Sequence, residues 1–471
     1  MPDRGVKRTS FRLDYSFMTT SLDVCILAAG VGSRMRSHKP KVLQKLAGRP
    51  LLAHLLETVG DLNPAAIHVV IGQGAEEVKA AFSDRADVNW VFQAERLGTG
   101  HAMQQVAPHL SGDRTLILLG DAPLIQVETL EVLSEVDADL GVLTVDMPDP
   151  FNYGRIVREG EQVLRIVEEK DANETEKQIR EINTGVMSAG TTYLKNWLER
   201  LDNNNAQQEY LLTDIVEHGN TDNAKVTAVK VSDPIEVTGI NTFGQLAALE
   251  RALQMNKAEA LMASGVQVMD PARLDIRGTL AAGQGVRIDV NVVFEGDVTL
   301  ADNVTIGPNC VISDSTIGEG SVIKANSVLE QATVGDQCSV GPFARLRPGA
   351  NLVSEVAVGN FVEVKKTTMG RGSKASHLTY LGDSTIGEEV NIGAGTITCN
   401  YDGVNKFETH IGDRAFIGSN SSLVAPVTIG SGSTVGAGST ISKDVDADVL
   451  AVGRGKQISV KNWQRPTKKE D

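Results

Sequence analysis

The sequence predicts three parts in series: an α/β domain on a mostly parallel sheet, one long helix, and a parallel β-helix. Two observations predict this. Over residues 21–241 short apolar runs alternate with amphipathic stretches, the rhythm of strand–helix–strand units. Beyond about Arg273 the composition turns to Gly, Val, Ile, Thr, Ser and Asn, and aliphatic–Gly pairs recur. Val334-Gly335 and Val340-Gly341 lie six apart, and Val358-Gly359 follows eighteen on. Ile386-Gly387 and Ile392-Gly393 come next, then pairs at Ile411, Ile417, Ile429 and Val435 at steps of six, twelve and six. A hexapeptide period with an aliphatic residue at its head turns that residue into a prism whose coils stack into one core.

The chain has 471 residues, enough for two or three cored domains. Lys+Arg 45 against Asp+Glu 60 leaves a charge of -15, which argues against a nucleic-acid binder, so anionic substrates must meet local basic clusters. Cys25, Cys310, Cys338 and Cys399 lack metal or disulfide spacing, which fits a reduced cytoplasm. No stretch is apolar for long enough to span a bilayer, so no membrane partner is expected. Residues 1–20 are charged and mixed, and read as a disordered extension with Met18 as an alternative start.

Taken in order, candidate strands fall at 24–27, 67–71, 88–92, 115–119, 140–145 and 226–231, with helices over 50–59, 75–82 and 128–136. The first strand empties into Leu27, Ala28, Ala29 and Gly30, then Gly32 and the basic Arg34, Lys39 and Lys41. Small residues let backbone N–H groups close on a phosphate. Met35 stands where a dinucleotide fingerprint wants a third glycine, so a tight turn with surface lysines stays open on this loop alone. The strand at 115–119 ends in Gly120-Asp121-Ala122-Pro123. That carboxylate either holds Mg²⁺ against phosphates or opens a turn. The stretch from Gln93 through Gly98 and Thr99 to His101 serves base recognition or caps a helix. Polar sets at 153–155, 167–171 and 182–185 sit beside apolar strands, and Asn241 offers a neutral oxygen opposite Asp121.

Residues 242–264 carry Phe243, Leu246, Leu249, Leu253 and Leu261 among Ala and Glu, one helix closed by Gly265 and Pro271. The expected divisions are a domain over 21–241, a connector over 242–265 and a coil with its tail over 266–471. The nineteen-residue step from Ile392 to Ile411 predicts a loop. Charge interrupts the bland repeat at Arg347, Lys365, Lys374 and His377, with Tyr380 close by. A coil needs none of these for packing. The basic residues suit a sugar phosphate, and an imidazole with an ordinary pKa near ~6.5 can accept a proton from an amine.

The ordered set Leu27-Ala-Ala-Gly-x-Gly-x-Arg-Met, Pro40-Lys41, Gln93 to Thr99, Gly120-Asp121, Tyr153-Gly154-Arg155, Glu168, Asn183 and Asn241 resembles the sugar-1-phosphate nucleotidyltransferases. Joined to a hexapeptide coil, it resembles the bacterial bifunctional enzymes that acetylate glucosamine-1-phosphate and then uridylylate the product. The resemblance runs from about Val24 to Lys468. It implies a Rossmann-like nucleotidyltransferase domain, a left-handed parallel β-helix, and a homotrimer in the cytoplasm whose acetyltransfer site is shared between neighbouring coils. It implies acetyl-CoA and UTP as co-substrates and Mg²⁺ as cofactor.

By resemblance, Gly30 and its loop contact the UTP phosphates, with Arg34 and Lys41 as catalytic cations. Gln93, Gly98 and Thr99 read the uracil, and Gly154, Glu168 and Asn183 hold the N-acetylglucosamine. Asp121 and Asn241 bind Mg²⁺. His377 is the general base of acetyl transfer, with Glu363 supporting it. Arg347, Lys365, Tyr380, Asn391 and Lys406 grip the amino sugar. Ala394, Asn400, Tyr401, Ser419, Ala437 and Arg454 take acetyl-CoA, and the tail from Trp463 covers that site or meets a neighbour. One departure is Asn152, where the family has Gly; Asn tolerates a left-handed backbone, so the loop is expected to survive. Two other readings are a transferase for a different hexose phosphate with a silent coil, and a non-catalytic module with the plan of guanine-exchange subunits. The presence of Lys41, Asp121 and His377 together weighs against the second.

Overall fold

The computed structural model describes residues 20–30 and 32–466. The extension expected over 1–20 lies, Thr20 aside, outside the described residues. The chain forms two compact units that divide between Leu249 and Glu250.

The first unit runs β1 (Leu22–Leu27), α1 (Leu51–Asp61), β2 (Ala66–Ile71), α2 (Ala75–Ala81), β3 (Val88–Phe92), α3 (Thr99–Val106), β4 (Arg114–Leu119), α4 (Val127–Ser134), β5 (Leu140–Asp146), β6 (Arg155–Glu159), β7 (Gln162–Val167), β8 (Glu181–Gly190), α5 (Thr191–Glu199), α6 (Ile215–Thr221) and β9 (Val226–Val231). The main path of its sheet is β9-β5-β8-β4-β1-β2-β3. β1 pairs in parallel with β2 and β4, and β2 with β3. Their carboxyl ends therefore reach one edge, where an open α/β sheet places its ligands. Side chains alternate between two cores: Val24 and Ile26 enter one, Cys25 the other.

All six predicted strands form, and three more join them: the hairpin β6–β7, and β8, which runs antiparallel between β4 and β5. β8 hid from the pattern because its register shifts between Asn183 and Met187. Gly185 in that stretch has φ 80, and a Cβ there would meet Leu119 Cδ1 at 2.4 Å. The irregular half of the strand carries polar residues, so alternation is lost.

The second unit is a parallel β-helix. Arg287 pairs with Thr305, Thr305 with Val322, Val322 with Ser339, and Ser339 with Ala357, at steps of 18, 17, 17 and 18 residues. Each coil is thus three hexapeptides. One core column runs Ile288, Ile306, Ile323, Val340, Val358, Ala375, Ile392, Ile417 and Val435, every member 3 % exposed or less. The repeat begins earlier than the pairs read from sequence, which started at Val334. Asn391 pairs with Phe416, a step of 25 residues, so the predicted loop is an insertion that leaves the register intact.

One corner of the coil is left-handed at every turn. Asn291, Asn309 and Asn326 hold φ of 58, 59 and 60 there, then Phe343, Phe361 and Leu378 hold 55, 55 and 49. Asn tolerates that backbone, whereas a bulky apolar residue costs about 1–3 kcal/mol. The Phe343 and Phe361 rings stack at 5.3 Å and stand exposed.

Helix α7 (Phe243–Ala263) opens on a capping box: Gln245 N–H donates to Thr242 Oγ1 at 3.1 Å and Gln245 Oε1 accepts from Thr242 N–H at 3.1 Å. Its later half covers the strand Leu274–Ala282, which pairs with one strand only, Val292–Leu300. Gln254, fully buried, acts as a strand neighbour would: Ile276 N–H donates to its Oε1 at 2.7 Å and its Nε2 donates to Ile276 C=O at 3.1 Å. The edge is closed by a side chain. Gln254→Leu leaves the buried Ile276 N–H unpaired, at about 1–3 kcal/mol, while the Ile276 C=O keeps the Lys257 ammonium as a donor at 3.0 Å. Differential scanning calorimetry is expected to show the coil's transition lowered, and an unchanged transition would mean that the edge is satisfied otherwise.

Candidate active sites

At the carboxyl edge of the first unit's sheet a cleft of about 330 Å³ is lined by Leu27, Ala28, Ala29, Gly30, Lys41, Gln93, Gly98, Thr99 and Asp121. A second cleft of about 220 Å³ is lined by Gly154, Glu168, Asn183 and Asn241, and shares Thr99, Leu119 and Asp121 with the first. Asp121 stands at their junction. The sequence-predicted residues of this half come together with one exception: Arg34, exposed in the turn Ser33–Met35, lines neither cleft.

Lys41 is buried and points its ammonium between two oxygens. It donates to Asp121 Oδ2 and, at 2.9 Å, to Asn241 Oδ1. The Ile240 N–H bonds the Asp121 carbonyl at 2.9 Å, which ties the 237–241 segment to the end of β4. Gly32, at φ 65, packs on Lys41, where a Cβ would come within 2.9 Å of the lysine Cβ. A carboxylate and an amide oxygen already gathered round one cation form a hard-oxygen set, the donor chemistry that suits Mg²⁺.

The loop from Gln93 to Thr99 is strapped from behind. Tyr210 N–H donates to Leu97 C=O at 2.7 Å, Gly100 N–H to Tyr210 C=O at 2.8 Å, and Leu212 N–H to Thr99 Oγ1 at 3.1 Å. Gly98 has φ 109, and a Cβ on it would sit 2.4 Å from the Tyr210 carbonyl oxygen. Gln93 is buried, its Nε2 3.0 Å from His101 Nδ1.

In the second cleft, burial pushes the Glu168 carboxyl above its ordinary range, opposed by the Thr213 hydroxyl that donates to Oε1 at 3.3 Å. Asn183 takes the Gly154 carbonyl with its N–H at 2.8 Å and turns Oδ1 onto Gly185 N–H at 3.0 Å. The buried Arg155 fixes the loop through Glu169 at 2.6 Å, and the same carboxylate accepts Asn152 N–H at 3.3 Å. Asn152 is left-handed at φ 69, so the residue standing where the family has Gly keeps the turn. Sequence reasoning missed Arg96 and Glu209 in the first cleft and Thr213 in the second. Arg96 lay inside the Gln93–Thr99 stretch; Glu209 and Thr213 come from polar chain without periodicity.

In the coil, register does the assembling. Arg345–Leu346 pairs with Glu363–Val364, so Arg347 and Lys365 follow at equivalent places on successive coils. Glu363 pairs with Tyr380, and Lys374 with Asn391. The Tyr380 ring covers Gly382, where a Cβ would come 2.3 Å from its hydroxyl. Glu363, expected beside His377, instead accepts Arg347 Nη1 at 2.8 Å. The residue bonded to His377 is Asn360, its Oδ1 2.7 Å from Nδ1.

The residues expected to take acetyl-CoA follow His377 along one line. Asn420 N–H bonds Ala394 C=O at 2.7 Å, Gly438 N–H bonds Ser419 C=O at 2.8 Å, and Arg454 Nη1 bonds Ala437 C=O at 2.8 Å. With ~4.8 Å between stacked strands, these successive positions form a continuous row along the coil. In the inserted loop Tyr401 is exposed and bridges to Lys406, while Asn400 is buried and donates to Asp383.

Residues 24–159 match the MobA-like NTP transferase domain family, 276–369 the GMPPB C-terminal domain family, and 408–443 the bacterial transferase hexapeptide family (six repeats). Two solved structures are similar over 50 % of this chain: a UDP-glucose pyrophosphorylase (TM-score 0.40, 14 % identity, 98 % of that chain) and the inositol-1-phosphate CTP transferase from T. maritima (TM-score 0.39, 14 % identity, 98 % of that chain). Fold, clefts and family matches define a transferase of two parts, a Rossmann-like nucleotidyltransferase domain and a left-handed hexapeptide β-helix. The bifunctional protein GlmU of Idiomarina loihiensis is 55 % identical over 453 residues, 95 % of this chain and 99 % of that protein. The chain belongs to the GlmU family of bifunctional proteins.

The strap around Gly98 gives a test. Gly98→Ala forces a methyl group against the Tyr210 carbonyl, and is expected to raise the KM for UTP at least tenfold while leaving acetyl transfer unchanged. Steady-state pyrophosphate release measures it.

Proposed function

We propose that the coil transfers an acetyl group from acetyl-CoA to the amine of glucosamine-1-phosphate, and that the first unit then transfers uridylyl from UTP to the product, releasing pyrophosphate. The observation that carries this is the full-length relation at 55 % identity, joined to two sites of different chemistry in separate units.

In the coil, His377 accepts a proton from the neutral sugar amine as its nitrogen attacks the thioester carbonyl. The C–S bond breaks and the thiolate takes that proton. Arg347 and Lys365, side by side on adjacent coils, hold the sugar phosphate. Tyr380, Asn391 and Lys406 grip the ring. Ala394, Ser419, Ala437 and Arg454 line the path of the acetyl-CoA arm, with Tyr401 and Asn400 in the loop beside it.

In the first unit, Gln93, Gly98 and Thr99 read the uracil, and Gly154, Glu168 and Asn183 orient the sugar so that its phosphate oxygen meets the α-phosphorus in line. Leu27, Ala28, Ala29 and Gly30 bring backbone to the triphosphate, with Lys41 supplying charge; Arg34, outside both clefts, has no contact role in this reading. Asp121 and Asn241 hold Mg²⁺, which neutralises the phosphates when bound. Asp121 at the junction of both clefts supports this division.

The second unit assembles as a homotrimer. Support comes from the left-handed corner: Phe343, Phe361 and Leu378, the last beside His377, hold a strained backbone while 49 %, 57 % and 61 % exposed, which a partner coil would repay by covering them. A cytoplasmic setting is supported by four free cysteines. Among the described residues no helix is long and apolar enough to cross a membrane.

His377→Ala is expected to abolish thiol release and leave pyrophosphate release intact, and Asp121→Ala to do the reverse. Loss of both activities in either folded variant contradicts the division. EDTA is expected to stop pyrophosphate release alone. Phe361→Glu is expected to shift the sedimentation coefficient to smaller species and to lower thiol release; an unchanged profile removes this corner from the interface.

A further inference from the structure

His377 has a partner that its expected role did not include. Asn360 and His377 occupy the same register on successive coils, and Oδ1 of the amide lies 2.7 Å from Nδ1 of the ring. The pair is held from both sides by the ladder. Leu378 N–H donates to the Asn360 carbonyl at 3.0 Å, and the buried Thr379 hydroxyl donates to the His377 carbonyl at 2.7 Å. Neither backbone can turn the ring away without breaking a rung.

A neutral imidazole carries one proton, and only one of its two tautomers can serve as a base toward a group reaching Nε2. An oxygen facing Nδ1 accepts a hydrogen bond only if the proton is on Nδ1. Turned round, the amide would donate to an Nδ1 lone pair and leave Nε2 protonated, unable to accept anything. The free side chain favours that second, inactive tautomer in water. An amide also differs from a carboxylate in that it orients the ring without adding a charge that favours the imidazolium.

We infer that Asn360 is a positioning residue for acetyl transfer, whose Oδ1 holds the proton of His377 on Nδ1 and so leaves the Nε2 lone pair bare for the amine proton. Glu363, engaged by Arg347 at 2.8 Å, is not the group that orients the ring. The inference rests on His377 being the base, and the two can fail separately.

The test is solid-state NMR on the full chain labelled with ¹⁵N in its histidine rings, at alkaline pH. The His377 signals are assigned by their loss in His377→Ala. Wild-type protein is expected to show His377 protonated at Nδ1 and bare at Nε2. A wild-type ring protonated at Nε2 overturns the inference without any variant. Asn360→Ala is expected to move the proton to Nε2 and to lower kcat for thiol release at least tenfold. The KM for acetyl-CoA and pyrophosphate release are expected to stay unchanged. Asn360→Asp, which keeps an acceptor at that place, is expected to restore the Nδ1–H tautomer. A folded Asn360→Ala with undiminished kcat sinks the positioning role. Retained thiol release in His377→Ala would sink the base reading instead, while the ring's tautomer still judges Asn360.

Discussion

Both units depend on one constraint, parallel strands paired in register. In the first unit it brings the ends of β1, β2, β3 and β4 to a single edge, so that Gly30, Gln93 and Asp121, distant in sequence, line one cleft. In the second it stacks coils at steps of 17 or 18 residues, so that residues one coil apart become neighbours. Arg347 meets Lys365, and Asn360 meets His377, for the same reason that Ile306 meets Ile323. Loops can then vary freely so long as the rungs on either side stay in phase, and the insertion after Asn391 does so.

On that frame each site is finished by a few directional bonds. Lys41 draws a carboxylate and an amide oxygen together at the junction of two clefts. Arg155 and Glu169 hold the loop that carries Gly154, with Asn152 in the left-handed turn before it. These contacts bury charge, which is stabilising only where geometry satisfies it. Burial drives Asp214, on the far side of Glu168, up to about 6. Burial thus raises two neighbouring carboxyls, Glu168 in the second cleft and Asp214 beside it.

Much of the fold was legible in residues. Short apolar strands and a hexapeptide period, broken here and there by one residue or a loop, survive translation into structure because burial selects them directly. β8 did not, since its polar, shifted half serves the cleft and no period of two remains. The sites divide along the same line. Gln93 and Asp121 were readable because they follow predicted strands directly, whereas Asn183, inside the unread β8, was reached by resemblance. Glu209 and Thr213 were not readable, because they reach the clefts from chain without a period. Glu363 was assigned to His377 by likeness alone; the bond to the ring comes from Asn360, one rung below, while Glu363 accepts from Arg347.

The left-handed corner has a consequence beyond the interface it suggests. Because every coil repeats the same backbone there, Asn or Gly is the default occupant, and any other residue departs from it at a known energetic disadvantage. Phe343, Phe361 and Leu378 depart in three successive coils, and the coils before them do not. The corner thus works as an index written along the chain. The corner falls three residues after each member of the column from Ile288 to Val435, so sequence alone locates the coils in which the default Asn or Gly is replaced.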